Sequence, residues 1–251
     1  MYVRGLFQHT IRLWNINWVA GSHLTIDESM VSWEGASEGH LSFIPRKPHP
    51  LGFQLKTVCD ARAGVFINAE FVEGREVDSR KKYFDEFGAT TGTTLRLCER
   101  YAGSRRCVIG DSWFGSVKTA EELAEMHLRC IMSVKTAHRG FPKRALLDAI
   151  PNRGDVKALQ STVNLGYEGE GKEITVFAAA HRDRKPMCLV ATCGLLLPGP
   201  PRVRHRYAYE GGQIQHLTWN LEQPHMFAVY RANFNTVDRM NKISLGRQSV
   251  V

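Results

Sequence analysis

Three aspartates occupy positions from which a carboxylate could take part in catalysis. Asp111 directly follows a short apolar run, Asp27 ends the first predicted strand, and Asp238 stands near the start of the last predicted helix. Carboxylate oxygens are the ligands that hard divalent cations prefer, and two such cations about 3.5–4 Å apart can activate an attacking oxygen and stabilise a leaving one in phosphoryl transfer. With 25 acidic side chains in the chain, many other triplets exist, and a single Asp at a strand end more often accepts turn amides.

The stretch around Asp111 predicts a strand, a turn and then a helix. Residues 107–109 form a continuous apolar run that suits a strand buried on both faces. Residues 119–122 have the form of a capping box, and the helix behind them is expected to run to about Arg129. The carboxylate of Asp111 is therefore expected at the carboxyl end of a buried strand, where open α/β sheets place their chemistry.

Alternating and helical periodicities predict the order β-β-β-α-β-α-β for the first half of the chain. The predicted strands are residues 23–30, 53–60, 65–73, 107–109 and 130–135, the first helix is 93–101, and residues 79–87 are expected to be a loop. This is the order of a ribonuclease-H-like mixed sheet, an α/β fold in which the first and fourth strands are neighbours. Asp27 and Asp111 would then converge, and a helix packed on the sheet could bring Asp238 to them.

The chain divides into four predicted segments. Residues 1–20 form a lead-in that is either a short amphipathic helix or an irregular packing segment. Residues 21–138 form the first part of the core, and residues 226–251 form the start of its C-terminal helix. Between them, residues 139–225 are expected to be an insertion rich in loops and hairpins, which begins with a loop at 139–171 and continues as a hairpin.

The charge distribution favours a polyanionic partner. The formal net charge is +8, from 33 basic and 25 acidic side chains, and the sequence pI is about 9.3. The excess is clustered, for example at Arg80–Lys82, Arg182–Lys185 and Arg202–Arg206. Such clusters are often only solvated surface, but several in one chain make nucleic acid the first candidate partner.

Cysteine usage and hydropathy limit the compartment. The six cysteines are scattered without a Cys-x-x-Cys pair, so buried free thiols are expected rather than disulfides or a zinc site. No apolar run approaches the roughly 18–20 residues that cross a bilayer, and the first residues lack the pattern of a signal peptide. We therefore expect an intracellular protein that does not engage a membrane.

Longer motifs carry a resemblance to a known family. The matching residues are Asp27–Met30, Gly35, Phe43–Lys56, Cys59–Asp60, Gly64, Gly110–Ser116, Glu122–Leu123, Val134–Lys135, Arg139–Pro142, Tyr230 and Asn235–Asp238. Over residues 20–245 the chain resembles the catalytic core of PiggyBac-type transposases, including the transposon-derived proteins of that family. The Lys-Pro-His and Asp-x-Trp-Phe-x-Ser elements are the most specific parts of this match.

The resemblance implies a DDE/DDD-type transposase that excises a transposon and joins it at TTAA sites. The matching acids Asp27, Asp111 and Asp238 would hold Mg²⁺ or Mn²⁺. The candidate DNA contacts are the basic residues in or beside the motifs: Arg46, Lys47, His49, Lys135, Arg139 and Lys143. The implied partner is DNA and the implied location is the nucleus; a homodimer stays open, and no small-molecule substrate is expected.

The chain also departs from the family pattern. Gly35 is followed by Ala36 where family members usually have Arg, and Asp111 by Ser112 where they usually have Asn. Asn241 stands where a further Asp is usual; it would share a helix face with Asp238 and offer the metal a carbonyl oxygen without charge. The chain begins just before the first predicted strand and ends 13 residues after Asp238. The family's N-terminal DNA-binding region and C-terminal cysteine-rich finger are not in it, so we expect a core fragment or a decayed or domesticated copy.

Three functions are compatible with these features. The first is a metal-dependent DNA strand-transfer core that uses the three acids. The second is a catalytically inactive, transposon-derived DNA-binding protein, which Asn241 and the missing flanking regions favour. The third is a plain nuclease. Retained acids do not by themselves supply recognition of DNA ends, because function lies in the site and not in the fold.

Overall fold

The computed structural model describes residues 4–35, 39–45, 47, 50–135, 140–165 and 172–248. Three of the candidate DNA contacts, Arg46, His49 and Arg139, lie outside the described residues. The strands are β1 His23–Ser32, β2 Ser42–Phe43, β3 Leu51–Asp60, β4 Phe66–Phe71, β5 Cys107–Gly110, β6 Arg129–Ser133, β7 Val156–Leu165, β8 Lys172–Arg182, β9 Pro186–Ala191, β10 Arg202–Glu210 and β11 Gln213–Leu221. The helices are α1 Arg4–Asn17, α2 Arg75–Asp78, α3 Phe84–Cys98, α4 Val117–Glu125, α5 Lys143–Asp148, α6 His225–Asn233 and α7 Thr236–Gln248, and Glu99–Tyr101 is a 3₁₀ turn.

One large mixed sheet forms the centre of the fold. Its strands follow the order β2-β3-β1-β5-β6-β9-β8-β7, and β4 pairs with β3. The pairs β1–β3 and β3–β4 are antiparallel, β5 and β6 run parallel to β1, and β9, β8 and β7 extend the sheet by antiparallel pairing. The carboxyl ends of β5 and β6 therefore meet at the same edge of the sheet, beside the middle of β1.

The central strands are buried because helices cover both faces of the sheet. All four residues of β5 are buried, and their side chains alternate between two apolar clusters. Val108 belongs to the cluster that contains Phe114 and Leu123 of the α4 side. Ile109 belongs to the cluster that contains Phe227 and Tyr230 of α6. Burial on both faces explains why this strand is a continuous apolar run rather than an alternating one.

Local signals predicted several elements correctly. The first three strands, the strand before Asp111, the helix after it and the hairpin β8–β9 are all present. The N-cap of α4 is Ser116, whose Oγ accepts a hydrogen bond from Thr119 N at 3.0 Å. The helix ends at Glu125 rather than near Arg129, because His127 takes a left-handed backbone conformation with φ 55°.

Other expectations about single elements were wrong. Asp27 does not end its strand but lies in the middle of β1. The loop expected at 79–87 is shorter, since α3 begins at Phe84, although its helical conformation is interrupted at Gly88 with φ 78°. The stretch 139–171, expected to be a loop, contains α5 and β7, and β7 pairs with β8 from Val156 to Leu165. The described side chains of β7 are mostly exposed, so its sequence shows little of the apolar alternation that is usual in a strand.

The hairpin of β10 and β11 forms a separate two-stranded ribbon. Arg202 pairs with Leu221 at its base and Glu210 with Gln213 at its tip. In β11, only the last residue is buried. Residues 198–224, which the sequence marks only as rich in Pro, Gly and Arg, thus form an extended antiparallel arm next to the main sheet.

Candidate functional site

Asp27 and Asp111 lie side by side on the same face of the sheet. The parallel register pairs Thr25 with Ile109 and Ile26 with Gly110, so the next step along both strands brings Asp27 beside Asp111. Side chains alternate along a strand, which puts the two carboxylates on the face of Thr25 and Ile109. That face is covered by α6 and the start of α7, since Thr25 Oγ1 donates a hydrogen bond to Asn233 O at 2.9 Å.

Asp238 approaches this pair from the first turn of α7. The helix start is fixed by Val237, which is fully buried, and by Thr236, whose hydroxyl lies 2.8 Å from Asn233 O and 3.2 Å from Ala61 O. The Asp238 side chain is 49% exposed and lies 3.7 Å from Lys47 Nζ. Asp238 therefore stands at the solvent side of the carboxylate pair.

The ionisation of Asp27 reports the proximity of all three acids. Burial is the largest cause of a rise in the pKa of Asp27 to about 7; the charges of Asp238 and Asp111 add to the rise, and the hydrogen bond from Glu28 N and the charge of Lys47 oppose it. Burial, with the charges of Asp111 and Asp27, also raises the pKa of Tyr230 well above its usual range. The three carboxylates thus share one local electric field, and a raised carboxyl pKa in such a cluster is typical of functional sites.

The backbone after Asp111 forms a tight turn around its carboxylate. Asp111 Oδ1 accepts a hydrogen bond from Trp113 N at 2.8 Å, and its carbonyl accepts from Phe114 N at 3.1 Å and Gly115 N at 3.0 Å. The turn function that is common for a strand-end Asp is therefore present. Asp111 also lies beside Asp27. Its carboxylate therefore both accepts the hydrogen bond of the turn and belongs to the acid pair.

A buried ion pair on the opposite face of β1 was not predicted. Lys56 Nζ lies 2.5 Å from Glu28 Oε1, with the two side chains 6% and 12% exposed, and 3.5 Å from the centre of the Trp113 ring. Burial lowers the pKa of Lys56, while Glu28, Asp111 and Asp27 counteract that effect. The pair depends on the antiparallel register of Glu28 with Lys56, which no local sequence pattern contains. Lys56 places a cation within the electrostatic reach of both acids.

The three acids are of the ligand type that a hard divalent cation prefers, but they do not form a metal site by themselves. Within the described parts of the chain, no group of three or more His, Cys, Asp or Glu side chains has the geometry of a metal site. Asn241, predicted as a fourth ligand, lines a cavity of about 290 Å³ together with Ser29, Phe7 and Trp14. Because Ser29 follows Asp27 by two residues on the same strand face, Asn241 lies one step further along β1 than the acids.

Three of the candidate DNA contacts are described, and they lie in different parts of the fold. Lys47 is beside Asp238, and Lys135 is exposed just after β6. Lys143, the first residue of α5, is close enough to Cys188 to oppose the rise that burial causes in the pKa of that thiol. All six cysteines are free thiols, as expected, and no helix in the described segments is long and apolar enough to cross a membrane.

The fold and this site define a mixed α/β protein with neighbouring carboxylates at the edge of its central sheet. Comparison with known proteins identifies the family: a model described as Transposase IS4 matches residues 2–248, so the chain belongs to that transposase family. A solved structure described as a cryo-EM structure of piggyBac transposase synaptic complex with hairpin DNA is similar, with a TM-score of 0.70 and 20% sequence identity. The similarity covers 96% of this chain and 44% of the other chain, so this chain spans less than half of that protein. No curated protein matches the chain. The predicted resemblance to piggyBac-type transposases is thereby confirmed.

Proposed function

We propose that the chain is a DDE/DDD-type transposase catalytic core that cleaves and joins DNA with Mg²⁺ or Mn²⁺. Asp27, Asp111 and Asp238 would hold the metal, with Asn241 as an uncharged neighbour. The observation that carries this proposal is the parallel register of β1 and β5, which brings Asp27 beside Asp111, while Asp238 is close enough for its charge to contribute to the raised pKa of Asp27. Membership of the transposase family and the DNA in the similar piggyBac complex support DNA as the partner.

The strand order around the acids supports a ribonuclease-H-like core. The five strands β4-β3-β1-β5-β6 are neighbours in that order, the first three antiparallel and the last two parallel to β1. In this arrangement the middle of β1 lies beside the end of β5, so Asp27 and Asp111 are neighbours on one face of the sheet. The remaining strands β7–β9 would then be additions to the core.

The roles of the side chains follow from their positions. Asp27 and Asp111 are held by the sheet, and Asp238 on α7 closes the site from the solvent side. Together the three carboxylates would hold divalent cations, which would supply the charge that activates an attacking oxygen and stabilises a leaving one in phosphoryl transfer. Lys56 would offset part of the carboxylate repulsion from the opposite face, since its ammonium lies within the field of Asp27 and Asp111. The half-buried Lys47 and the exposed Lys135 would contact phosphates beside the site.

A catalytically inactive DNA-binding protein is the second candidate. Asp238 lies beside Lys47, and the residue one turn later is Asn241 rather than an acid. A weaker third ligand and a missing fourth charge would both lower metal affinity. In this alternative the same fold and basic surface bind DNA without cleavage.

Thermal melting with and without millimolar Mn²⁺ separates the two functions. Repulsion among three acids destabilises the metal-free fold, and a bound cation stabilises the native state by mass action. We expect the wild type to gain several degrees in Tm, and Asp111→Asn to gain less while being no less stable without metal. Asn241→Asp should enlarge the gain if that side chain reaches the site. Cleavage of a labelled DNA duplex in the same buffers tests the reaction itself.

The exposed Asp148 supplies the matched control. Asp148→Asn makes the same chemical change in α5, on a side chain that is 73% exposed, and should leave the Mn²⁺ response as in the wild type. A wild type that gains nothing from Mn²⁺, or an Asp111→Asn variant that gains as much as the wild type, would favour the inactive DNA-binding protein.

A further inference from the structure

A second charged cluster lies on the same edge of the sheet as the acids. We call it the arginine cluster; it consists of Arg153, Arg184, Arg202, Arg204 and Arg231 around Asp183. Asp183 and Arg184 belong to the turn between β8 and β9, Arg202 and Arg204 to the base of β10, and Arg231 to α6. None of these residues is among the six candidate DNA contacts in the family motifs, although Arg184, Arg202 and Arg204 belong to basic clusters that suggested a nucleic-acid partner.

The cluster carries far more positive than negative charge. Asp183, whose side chain is 6% exposed, lies 3.0 Å from Arg153 Nη2 and 3.3 Å from Arg202 Nη1, and it also pairs with Arg204. Arg184 is exposed and makes no ion pair within the described part of the chain. One carboxylate thus stands in a cluster of five guanidinium groups and pairs with three of them. A network that only fastened the ribbon to the sheet would not need this excess.

Two of the arginines have donors without partners. Arg204 Nε and Arg231 Nε are buried and find no hydrogen-bond acceptor among the described residues. Leaving a buried donor unpaired costs free energy, more so when the group is charged. Burial, together with the charges of Arg202 and Arg204, lowers the pKa of Arg231 to about 10. An anion placed here would supply acceptors and relieve the repulsion.

One cavity of the cluster reaches the end of β6, the strand beside β5. This cavity, of about 400 Å³, is lined by Ser133 and Val134 at the end of β6 and by Arg184, Arg202, Arg204 and Arg231. The end of β6 lies next to the end of β5, which leads into Asp111. In α6, Arg231 directly follows Tyr230, whose hydroxyl is in the field of Asp111. A strand that reached the acids could therefore continue over the arginines without leaving this edge.

We propose that the arginine cluster binds phosphodiester groups of the DNA backbone. The planar guanidinium fork matches phosphate oxygens in bidentate geometry, and the cluster offers several such forks around one opening. The proposal deepens the proposed function and rests on it for the identity of the polyanion, because free phosphate offers the same oxygen chemistry. Because the cluster lies beside the acids and not at them, it would contact the DNA backbone next to the bond that reacts.

The test measures binding of a fluorescein-labelled DNA duplex to the full chain by anisotropy, in EDTA and between about 50 and 200 mM NaCl. The variant Arg184→Gln/Arg202→Gln removes two charges from the cluster. Its control, Arg62→Gln/Arg105→Gln, removes two exposed charges near the opposite edge of the sheet. We expect the cluster variant to lose at least about tenfold in affinity at the higher salt and about two units in the slope of log K against log salt. The control should lose less than about threefold.

The controls keep each outcome decisive. If the double variant does not melt as a folded protein, Arg184→Gln against Arg105→Gln decides, with an expected slope change of about one. Equal losses in cluster and control variants would overturn the proposal, because net charge alone would explain binding. Displacement of the duplex by about 10 mM inorganic phosphate at constant ionic strength would assign the site to free phosphate instead and also overturn it. The binding assay is run in EDTA, so its outcome does not depend on metal. A missing Mn²⁺ response in the melting experiment would therefore reject the proposed catalysis but not DNA binding by the arginine cluster.

Discussion

At the scale of single residues, Asp27 and Asp111 have the same chemistry but different surroundings. Asp111 lies after a strand end and accepts the backbone N–H of Trp113 two residues later. Asp27 lies in mid-strand, between β3 and β5, and its carboxylate accepts the N–H of the next residue, Glu28. Burial of Asp27 thus dominates over its hydrogen bonding, and this carboxyl holds a proton at pH values at which an exposed one would be ionised.

The raised pKa of Asp27 predicts how stability depends on pH. The value rises from 3.8 to about 7 on folding, so the folded chain keeps a proton that the unfolded chain releases. The stabilisation from this group is complete below about pH 4 and is lost as pH rises toward 7. Asp27→Asn cannot ionise; relative to the wild type it should gain about 2.5 kcal/mol of stability between about pH 5 and pH 8. Urea unfolding in EDTA at both pH values measures this.

The comparison variant for this prediction is again Asp148→Asn, because Asp148 is exposed in α5. Its stability difference from the wild type should stay constant over the same pH range. An Asp27→Asn variant that follows the pH dependence of the wild type would mean that Asp27 is ionised in the folded protein, and the acid cluster would then not be electrostatically strained.

At the scale of elements, local signals determined what could be predicted. The strand before Asp111 and the helix that Ser116 caps each have a strong local pattern, and both are present. Strand β7 and the ribbon expose most of their side chains, so burial imposes little apolar alternation on their sequences. The buried pair of Glu28 and Lys56 depends on the register between β1 and β3. Register is a property of tertiary pairing, and no local window of sequence contains it.

The turn after Asp111 depends on a close approach to β6. A Cβ at Gly115 would lie 1.9 Å from Ser133 O and 3.0 Å from Met132 Cβ, so the backbone of the turn touches that of the strand. Gly115→Ala must push the turn away, and we expect a loss of at least about 1–3 kcal/mol in the free energy of unfolding. Gly5→Ala in α1, where a Cβ meets nothing within 4 Å, should cause no loss.

Urea unfolding of both glycine variants checks this expectation. If Gly115→Ala is as stable as Gly5→Ala, the turn has room to move, and the position of Asp111 is then not fixed by contact with β6. A loss restricted to Gly115→Ala, accompanied by a smaller Mn²⁺ response, would connect the packing of this turn to the carboxylate site.

At the scale of the whole molecule, the main sheet and the ribbon differ in how they are stabilised. The sheet has helices on both faces and two buried clusters. Toward its tip the ribbon presents large apolar side chains to solvent: Tyr207 is 71% exposed, Tyr209 74% and Ile214 72%. Its base, by contrast, is tied to the body by the ion pairs of Arg202 and Arg204 with Asp183. The tip therefore contributes little to the stability of this chain.

Shortening the ribbon tests this division of the molecule. Arg206 and Leu217 are paired in register, so residues 207–216 can be replaced by Asn-Gly, which favours a two-residue hairpin turn. We expect the free energy of unfolding to change by less than about 1 kcal/mol, because exposed side chains contribute little to it. Affinity for the DNA duplex should also be retained, since the variant keeps every member of the arginine cluster. Triple substitution of Tyr207, Tyr209 and Ile214 by Ser is the control for the loss of apolar surface without a change in chain length. A shortened variant that unfolds, or that loses DNA binding as strongly as Arg184→Gln/Arg202→Gln, would place the stabilising or phosphate-binding contacts at the tip instead of the base.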